Sequence, residues 1–214
     1  MKKLFAALLA LGMLLSLCAC AAEESGKKET KKKETKSDFT LGTIDGENYE
    51  NTYIGLGCNL DEDWRYYSDA EISEISGIAM DRVEEDARKL LEDAAVVFDM
   101  YAANGADTIN VNLEKCSAAQ LKNIDIAQNL NALIPMLKSV YEGSGYSDIT
   151  SQVISVELDG KDHFALRTEA KLMGSDVYLL QLQFPCQEHM ASLTIVSFGI
   201  DNTVEYLDYF YLTE

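Results

Sequence analysis

Alternating apolar and polar residues along most of the chain predict antiparallel strands. A glycine-rich hairpin is expected between Thr40 and Leu60, with its turn at Asp45-Gly46. A second hairpin is expected from two further runs, Ala95–Tyr101 and Asp107–Leu113, joined by a tight turn at Asn104-Gly105. Two pairs of strands therefore precede the longest run of predicted strands.

The second strand of the middle hairpin separates its side chains onto two chemically different faces. The two sets are Ile109, Val111 and Leu113 on one face and Thr108, Asn110 and Asn112 on the other. This alternation is typical of an antiparallel sheet with one buried face and one solvated face. We therefore expect the polar face of this strand to contact water.

Four longer runs near the C-terminus predict a meander of antiparallel strands. The connections at Asp159-Gly160, at Gly174-Ser175 and over residues 185–189 are each short enough for a hairpin. The four runs are Thr150–Leu158, Asp162–Leu172, Asp176–Phe184 and Met190–Ile200.

Apolar residues at helical spacing predict helices between these groups of strands. The first helix begins at Ser68 or Asp69 and carries an apolar stripe. The second begins near Ser117 and ends by Gly143, and Pro135 is expected to kink or divide it. The stripe of the first helix consists of Ile72, Ile75, Ala79, Val83, Ala87 and Leu90 or Leu91.

A short closing helix is expected after Asn202, because Glu205 follows three residues later as in a capping box. The predicted order is then ββ, α, ββ, α, ββββ, α. Runs of strands separated by helices are typical of α+β folds, not of parallel βαβ folds. We therefore predict an α+β domain: an antiparallel sheet built from an N-terminal hairpin, a middle hairpin and a C-terminal four-strand meander, flanked by helices.

Several features of the domain resemble those of one known family. They are Tyr49, Asn51, Tyr53, Gly55, Trp64, the strand pair Val96–Val111, the sequence Leu158-Asp159-Gly160 and the short closing helix. Together with the order of elements, they resemble the PsbP-like fold. That fold is shared by an extrinsic lumenal protein of photosystem II and by a nuclear-transport accessory protein that binds the Ran GTPase. The resemblance implies a non-catalytic adaptor or binding module, and it transfers no residue role to this chain.

The first twenty residues have the features of a bacterial lipoprotein signal. Two lysines precede an apolar run, Leu4–Leu17, which is shorter than the roughly 20 residues that a membrane-spanning helix needs. Leu17 and Ala19 stand third and first before Cys20, as in a lipobox, whose cysteine becomes the lipidated N-terminus. Cys20 is therefore the predicted lipidation site, and an ordinary secreted protein is the alternative.

The chain then divides into three segments. They are a signal peptide (1–19), the lipidated cysteine with a flexible tether rich in Lys and Glu (20–37), and a single domain (38–214). The tether is interpreted as a plain spacer, or alternatively as a contact with anionic headgroups through Lys31, Lys32 and Lys33. The predicted location is the extracytoplasmic face of the cell membrane, reached through the N-terminal lipid.

Charge is distributed unevenly along the chain. It has 18 Lys and Arg against 36 Asp and Glu, and 8 of the basic but only 4 of the acidic residues precede residue 38. The domain therefore carries about −22 with neutral histidines. Nucleic acid is excluded as a partner, because phosphate recognition needs clustered Lys and Arg. An acidic surface suits solubility, divalent cations in bulk or a basic partner.

Candidate catalytic groups are few. Cys186 and His189 lie close together, and a thiolate with an imidazole suits a metal site or a nucleophile and its base. This pair supports the alternative function, a metal-assisted or Cys/His-dependent hydrolase at the cell envelope. Two ligands make an incomplete metal site, and Asp61-Glu62-Asp63 lacks the spaced ligands of a calcium loop. We therefore predict no catalytic residue, no metal and no cofactor.

The domain contains three cysteines, Cys58, Cys116 and Cys186, without a C-x-x-C pair. At most one disulfide can form among them, and their spacing leaves the choice of pair open. Free buried thiols are the expected state.

Aromatic residues cluster around the first hairpin and near the C-terminus. The candidate interface consists of Tyr49, Tyr53, Trp64, Tyr66 and Tyr67, and Tyr206, Tyr209 and Tyr211 form a second group. Tyrosine combines an apolar ring with a polar tip, which suits protein or glycan recognition and equally suits the rim of a core. The predicted function is a lipid-anchored, non-enzymatic binding or assembly module, whose protein or glycan partner and oligomeric state stay open.

Overall fold

The computed structural model of the protein describes residues 39–76 and 96–213. The predicted signal peptide, the lipidation of Cys20, the tether and the part of the first helix beyond Ser76 lie outside the described residues. No helix within the described ranges is long and apolar enough to cross a membrane.

The described residues form eleven strands, three α-helices and one 3-10 helix. The strands are β1 (Thr43–Asp45), β2 (Asn48–Asn51), β3 (Leu56–Asn59), β4 (Arg65–Tyr66), β5 (Val96–Asn104), β6 (Asp107–Lys115), β7 (Tyr146–Leu158), β8 (Lys161–Leu172), β9 (Ser175–Cys186), β10 (His189–Phe198) and β11 (Phe210–Leu212). The helices are α1 (Asp69–Ser76), α2 (Ala118–Leu121) and α3 (Ile126–Gly143), and the 3-10 helix spans Glu205–Tyr209.

The strands form two antiparallel sheets, which confirms the α+β class. The smaller sheet has the order β1-β2-β3-β11, and the larger has the order β4-β5-β6-β10-β9-β8-β7. Both predicted hairpins and the four-strand meander are present, and the pairing of β6 with β10 joins the middle hairpin to the meander. The predicted turn at Asp159-Gly160 has positive φ at both residues, 49° and 71°, as a type I′ turn requires.

The larger sheet is buried on both faces. One face packs against the smaller sheet in a cluster that includes Leu180, Leu182, Leu193 and Ile195. On the other face, α3 packs against the meander through Leu130, Leu133, Leu137, Leu166, Leu179 and Val196. The sheet is therefore a central layer between the smaller sheet and a helix.

The prediction that the polar face of β6 contacts water is wrong. Thr108, Asn110 and Asn112 are only 3%, 2% and 0% exposed. The alternation of side chains along β6 assigns the residues to the correct faces. It does not show whether a helix covers the polar face. Helix α3 lies on this side over β9, where its Asn129 donates a hydrogen bond of 2.8 Å to Oε1 of Gln183. Nearer to β6, Ile72 of α1 packs on the same side against Phe98 and Tyr101 of β5.

A bulge in β5 links the two sheets. The register of β5 against β6 shifts between Phe98 and Met100, and the intervening Asp99 is fully buried. The Tyr49 hydroxyl and Nδ2 of Asn51, both on β2, donate to its carboxylate at 2.5 and 2.6 Å. Because β2 belongs to the smaller sheet, this carboxylate holds one sheet against the other.

The helix predicted from Ser117 is divided, although not at Pro135. Ser117 forms a capping box with Gln120 at the start of α2. Helix α3 then begins after Asp125, which accepts a hydrogen bond of 3.0 Å from a backbone N–H in its first turn. The division lies at Asp125 because this residue is a strong N-cap, whereas Pro135 removes only one backbone hydrogen bond from a packed helix.

The predicted capping box at Asn202 and Glu205 is wrong. The closing element is a 3-10 helix whose N-cap residue is Val204, with no side-chain cap. The chain then enters β11, where Phe210 pairs with Cys58 of β3. Pairing with a strand that is distant in sequence therefore prevails over the local capping preference.

Candidate functional site

The structure places Cys186 and His189 opposite each other at the end of the β9–β10 hairpin. Both residues bind Tyr53. The Cys186 thiol donates to the Tyr53 carbonyl at 2.7 Å, and the Tyr53 hydroxyl lies 2.8 Å from Nδ1 of His189 in a hydrogen bond. Phe39 stacks on the imidazole with ring centroids 4.7 Å apart. The two groups are thus packed against aromatic rings.

Burial keeps both members of this pair neutral. It raises the pKa of the Cys186 thiol to about 11. Burial also lowers the pKa of His189 to about 4, with a smaller contribution from Lys115. A nucleophilic cysteine reacts as a thiolate that a neighbouring base activates. The arrangement of this pair therefore favours a structural role over the hydrolase alternative.

The acidic run at residues 61–63 is an exposed turn. Asp61 accepts a hydrogen bond of 3.0 Å from the Asp63 backbone N–H and another from the Tyr209 hydroxyl. Across residues 39–76 and 96–213, no group of three or more His, Cys, Asp or Glu side chains is placed to hold a metal ion.

The cysteines of the domain do not pair with one another. Cys58 and Cys186 are free thiols, so no disulfide joins any two of Cys58, Cys116 and Cys186. Cys58 is buried at the centre of β3, and burial raises the pKa of its thiol to about 12. Its role is therefore that of a small core residue.

The five residues of the predicted interface fall into two groups. Tyr49, Tyr53 and Trp64 are 0%, 8% and 8% exposed and belong to the core. Tyr66 and Tyr67 are partly exposed. Of the five, only Tyr66 and Tyr67 have rings that a partner could contact.

Two tyrosines of the C-terminal segment surround Trp64. Tyr206 and Tyr209 contact its indole edge-on, with ring centroids 5.0 and 6.3 Å away. They also stack on each other at 6.0 Å. The Tyr209 hydroxyl donates to Asp61, and the Tyr206 hydroxyl donates to Asp107 at 2.7 Å. Both rings are partly exposed. Their hydrogen bonds to carboxylates hold them in place.

Two further tyrosines lie beside β3. The Tyr66 hydroxyl is 3.3 Å from the Cys58 thiol. The Tyr211 ring lies across Gly57, where a Cβ atom would meet it at 2.4 Å, so a side chain at this position would displace the ring. We define the tyrosine face as the four partly exposed residues Tyr66, Tyr206, Tyr209 and Tyr211.

A second cluster, which the sequence analysis missed, lies at the centre of the larger sheet. Strands β6, β10 and β9 each contribute two polar side chains to the face that α3 covers. In register, one row is Asn110, Thr194 and Gln181, and the next row is Asn112, Ser192 and Gln183. Paired residues of antiparallel strands share a face, with Cβ atoms about 4.5–5.5 Å apart. We call these six residues the polar centre, and each of them is at most 4% exposed.

Helix α3 supplies only part of the hydrogen bonding that the polar centre needs. Asn129 donates to Oε1 of Gln183 at 2.8 Å, and the Tyr141 hydroxyl donates to Oε1 of Gln181 at 3.1 Å. Within the polar centre, four buried side-chain atoms on β9 and β10 have no hydrogen-bond partner among the described residues. These atoms are Gln181 Nε2, Gln183 Nε2, Ser192 Oγ and Thr194 Oγ1.

The sequence contains a signal for this cluster. Three strands carry polar doublets at a spacing of two, with apolar residues in between: Asn-Val-Asn, Gln-Leu-Gln and Ser-Leu-Thr. Each doublet by itself indicates a solvated face. Only the register of β6 on β10 and of β10 on β9 brings the three doublets together.

Comparisons with known proteins identify no family for this chain. No family model matches it, and no curated protein matches it. A solved structure from Bacteroides thetaiotaomicron VPI-5482 is 10% identical over 80% of this chain, with a TM-score of 0.39. The chain spans 50% of the length of that protein.

LpqN of Mycobacterium tuberculosis, described as involved in cell envelope biogenesis, is 12% identical over 74% of this chain and 83% of its own length, with a TM-score of 0.38. Both TM-scores lie below 0.5, so neither likeness carries an inference about function. The PsbP-like resemblance stays a prediction.

Proposed function

We propose that this protein is a lipid-anchored, non-enzymatic binding or assembly module on the extracytoplasmic face of a bacterial cell membrane. The tyrosine face is the observation that carries the binding part of this proposal. Four partly exposed phenol rings lie around Trp64 and β3 within a strongly acidic domain. Their partner is a protein or a glycan.

The tyrosine face is held rigidly before any partner arrives. Asp61 and Asp107 accept hydrogen bonds from Tyr209 and Tyr206, and Nδ2 of Asn202 donates to the Tyr206 hydroxyl at 3.4 Å. Fixed aromatic rings offer a large contact area at a small cost in conformational entropy. Carboxylates beside the rings favour partners that donate hydrogen bonds, such as basic side chains or sugar hydroxyls.

The state of Cys186 and His189 supports a module without catalysis. The thiol and the imidazole both bind Tyr53, and burial keeps them neutral at pH 7. Activation of the cysteine would require loss of its hydrogen bond to the Tyr53 carbonyl and formation of a buried thiolate. The hydrolase alternative therefore gains no support from this arrangement.

Anchoring rests on the lipobox-like sequence that ends at Cys20. A tether of about 16 residues would hold the acidic domain away from an anionic bilayer, which repels a domain of net negative charge. The Cys20→Ala variant should leave the membrane fraction, and the matched Cys18→Ala variant should stay in it. Fractionation of cells followed by immunoblotting measures both. Retention of Cys20→Ala at the level of the parent protein would rule out lipidation at this position.

Site-specific photo-crosslinking tests the tyrosine face in intact cells. A benzophenone amino acid in place of Tyr209 should capture a discrete partner. The same residue in place of Tyr178, a partly exposed tyrosine on β9, is the control and should not capture that partner. Equal capture from the two positions, or capture from neither, would contradict a binding role for the tyrosine face.

A further inference from the structure

We propose that the polar centre is an internal binding site for neutral hydroxyl oxygens, supplied by buried water or by a small polyol or sugar. This inference is independent of the tyrosine face, because the polar centre lies on the opposite side of the larger sheet. It rests on four buried atoms without a described partner, arranged in two neighbouring rows.

Burial separates the unpaired atoms of the polar centre from bulk water. Gln181, Gln183, Ser192 and Thr194 are 0%, 4%, 1% and 0% exposed, so bulk water does not reach their unpaired atoms. Polar groups buried to this degree almost always have a hydrogen-bond partner in native proteins, from the protein or from ordered water. These four atoms lie in two adjacent rows of one face, so a single shared guest would satisfy them together.

The available donors and acceptors define the guest. Each glutamine uses its Oε1 to accept a hydrogen bond from α3, which leaves Nε2 as a donor. The hydroxyls of Ser192 and Thr194 both donate and accept. A hydroxyl oxygen that accepts from Gln181 Nε2 and donates to Thr194 Oγ1 satisfies the first row. A second oxygen between Gln183 and Ser192 satisfies the next row, about 7 Å further along the strands.

The composition of the polar centre itself favours a neutral guest. All six side chains are amides or hydroxyls, and an ion buried there without an opposite charge would be strongly disfavoured. Across the strands the rows end in aromatic or apolar residues, Phe98 and Tyr101 on β5 and Leu166 on β8. Along β6 the rows are flanked by the buried residues Thr108 and Glu114. A polar floor between apolar walls is typical of sites for small neutral molecules.

The direction in which one substitution changes the melting temperature tests whether a guest is present. Thr194→Val removes only the hydroxyl and nearly preserves its shape. With a guest bound, the guest loses a partner, and the melting temperature of the full chain should fall by about 2–4 °C. With no guest, an unpaired hydroxyl is replaced by a methyl group, and the melting temperature should rise.

The matched control is Thr168→Val on β8. Thr168 is also 0% exposed, and its hydroxyl lies 2.8 Å from Oγ of Ser151. The change in melting temperature of Thr168→Val therefore measures the removal of a known hydrogen bond. A similar fall for Thr194→Val and Thr168→Val supports the proposal. An unchanged or raised melting temperature for Thr194→Val, together with a fall for Thr168→Val, overturns it. Ser192→Ala repeats the test in the second row.

A second measurement distinguishes the two sources of the oxygen. Melting curves of the parent protein and of Thr194→Val are recorded in increasing erythritol and D-glucose. Solutes of this kind stabilise most proteins nonspecifically, so the quantity of interest is the difference between the two chains. A difference that grows with solute supports a polyol or sugar as the guest. A constant difference, after the fall described above, supports water.

Discussion

The two faces of the larger sheet are equally buried but are filled by opposite chemistry. Towards the smaller sheet, β9 and β10 place Leu180, Leu182, Leu193 and Ile195. Towards α3, the same strands place Gln181, Gln183, Ser192 and Thr194 between them. Neighbouring residues of one strand therefore enter an apolar core on one side and a polar layer on the other.

This difference shows that burial and hydrophobicity are separate properties of a strand face. The apolar face needs no specific partner, because removal of its surface from water is itself favourable. The polar face lowers stability unless each group finds a hydrogen bond. Its presence in the middle of a sheet thus points to a partner, whereas the apolar face points only to folding.

Leu193→Ala should have the largest effect, because it removes buried volume from the apolar face. Leu193 is 0% exposed, and we expect the free energy of unfolding to fall by about 3 kcal/mol. Urea denaturation measures the change. Val204→Ala, at a residue that is 49% exposed, is the control and should change stability by less than about 0.5 kcal/mol. Equal effects of the two variants would contradict the placement of the apolar core.

His189 should make stability depend on pH. Its pKa is about 4 in the folded protein against 6.5 as the ordinary value, so the unfolded chain takes up the proton first as the pH falls. The stabilisation is complete above pH 6.5 and should be lost towards pH 4, on the order of 2–3 kcal/mol. Denaturation at several pH values should show this loss in the parent protein and in His163→Gln, the control. A His189→Gln variant with the same pH dependence as the parent would contradict it.

Asp99→Asn tests a buried carboxylate whose hydrogen bonds connect the two sheets. The substitution removes the charge from the hydrogen bonds of Tyr49 and Asn51, and we expect a loss of about 2 kcal/mol. The control is Asp176→Asn, whose exposed ion pair with Lys171 should contribute far less to stability. Chemical denaturation compares them. If the free energy of unfolding falls no more for Asp99→Asn than for the control, the Asp99 carboxylate does not join the two sheets.

Asp125 and Pro135 test the helix that covers the polar face. Asp125→Ala removes the N-cap of α3 and should lower the free energy of unfolding by about 1 kcal/mol. Pro135→Ala restores a helical backbone donor and should raise it. Thermal and urea denaturation provide both values. If Asp125→Ala raised the free energy of unfolding and Pro135→Ala lowered it, the helix would instead be divided at Pro135.

Most of the strands could be predicted, because alternation and Asx-Gly turns are local signals. The turn at Asp159-Gly160 lies at the predicted position. The turn of the middle hairpin is Gly105-Ala106, one residue later than predicted, because Asn104 still pairs with Asp107. Strand β11 could not be predicted in this way, since its three residues become a strand only by pairing with β3. The second helix is divided by the N-cap at Asp125, a single local signal within an apolar stripe that continues across it from Leu121 to Tyr141.

The candidate sites were less predictable than the fold. The proximity of Cys186 and His189 follows from their hairpin, but the Tyr53 that binds both is far away in sequence. Tyr49 was a candidate for the interface, but it is fully buried and its hydroxyl donates to Asp99, which lies far away in sequence. The polar doublets were visible in the sequence, whereas their assembly into one layer depends on strand register and on the position of α3.

A crystal structure that resolves ordered solvent tests the polar centre most directly. We predict an ordered oxygen within about 3.2 Å of both Gln181 Nε2 and Thr194 Oγ1, and a second one within the same distance of Gln183 Nε2 and Ser192 Oγ. Direct hydrogen bonds from these four atoms to protein groups, with no ordered oxygen between the two rows, would contradict it.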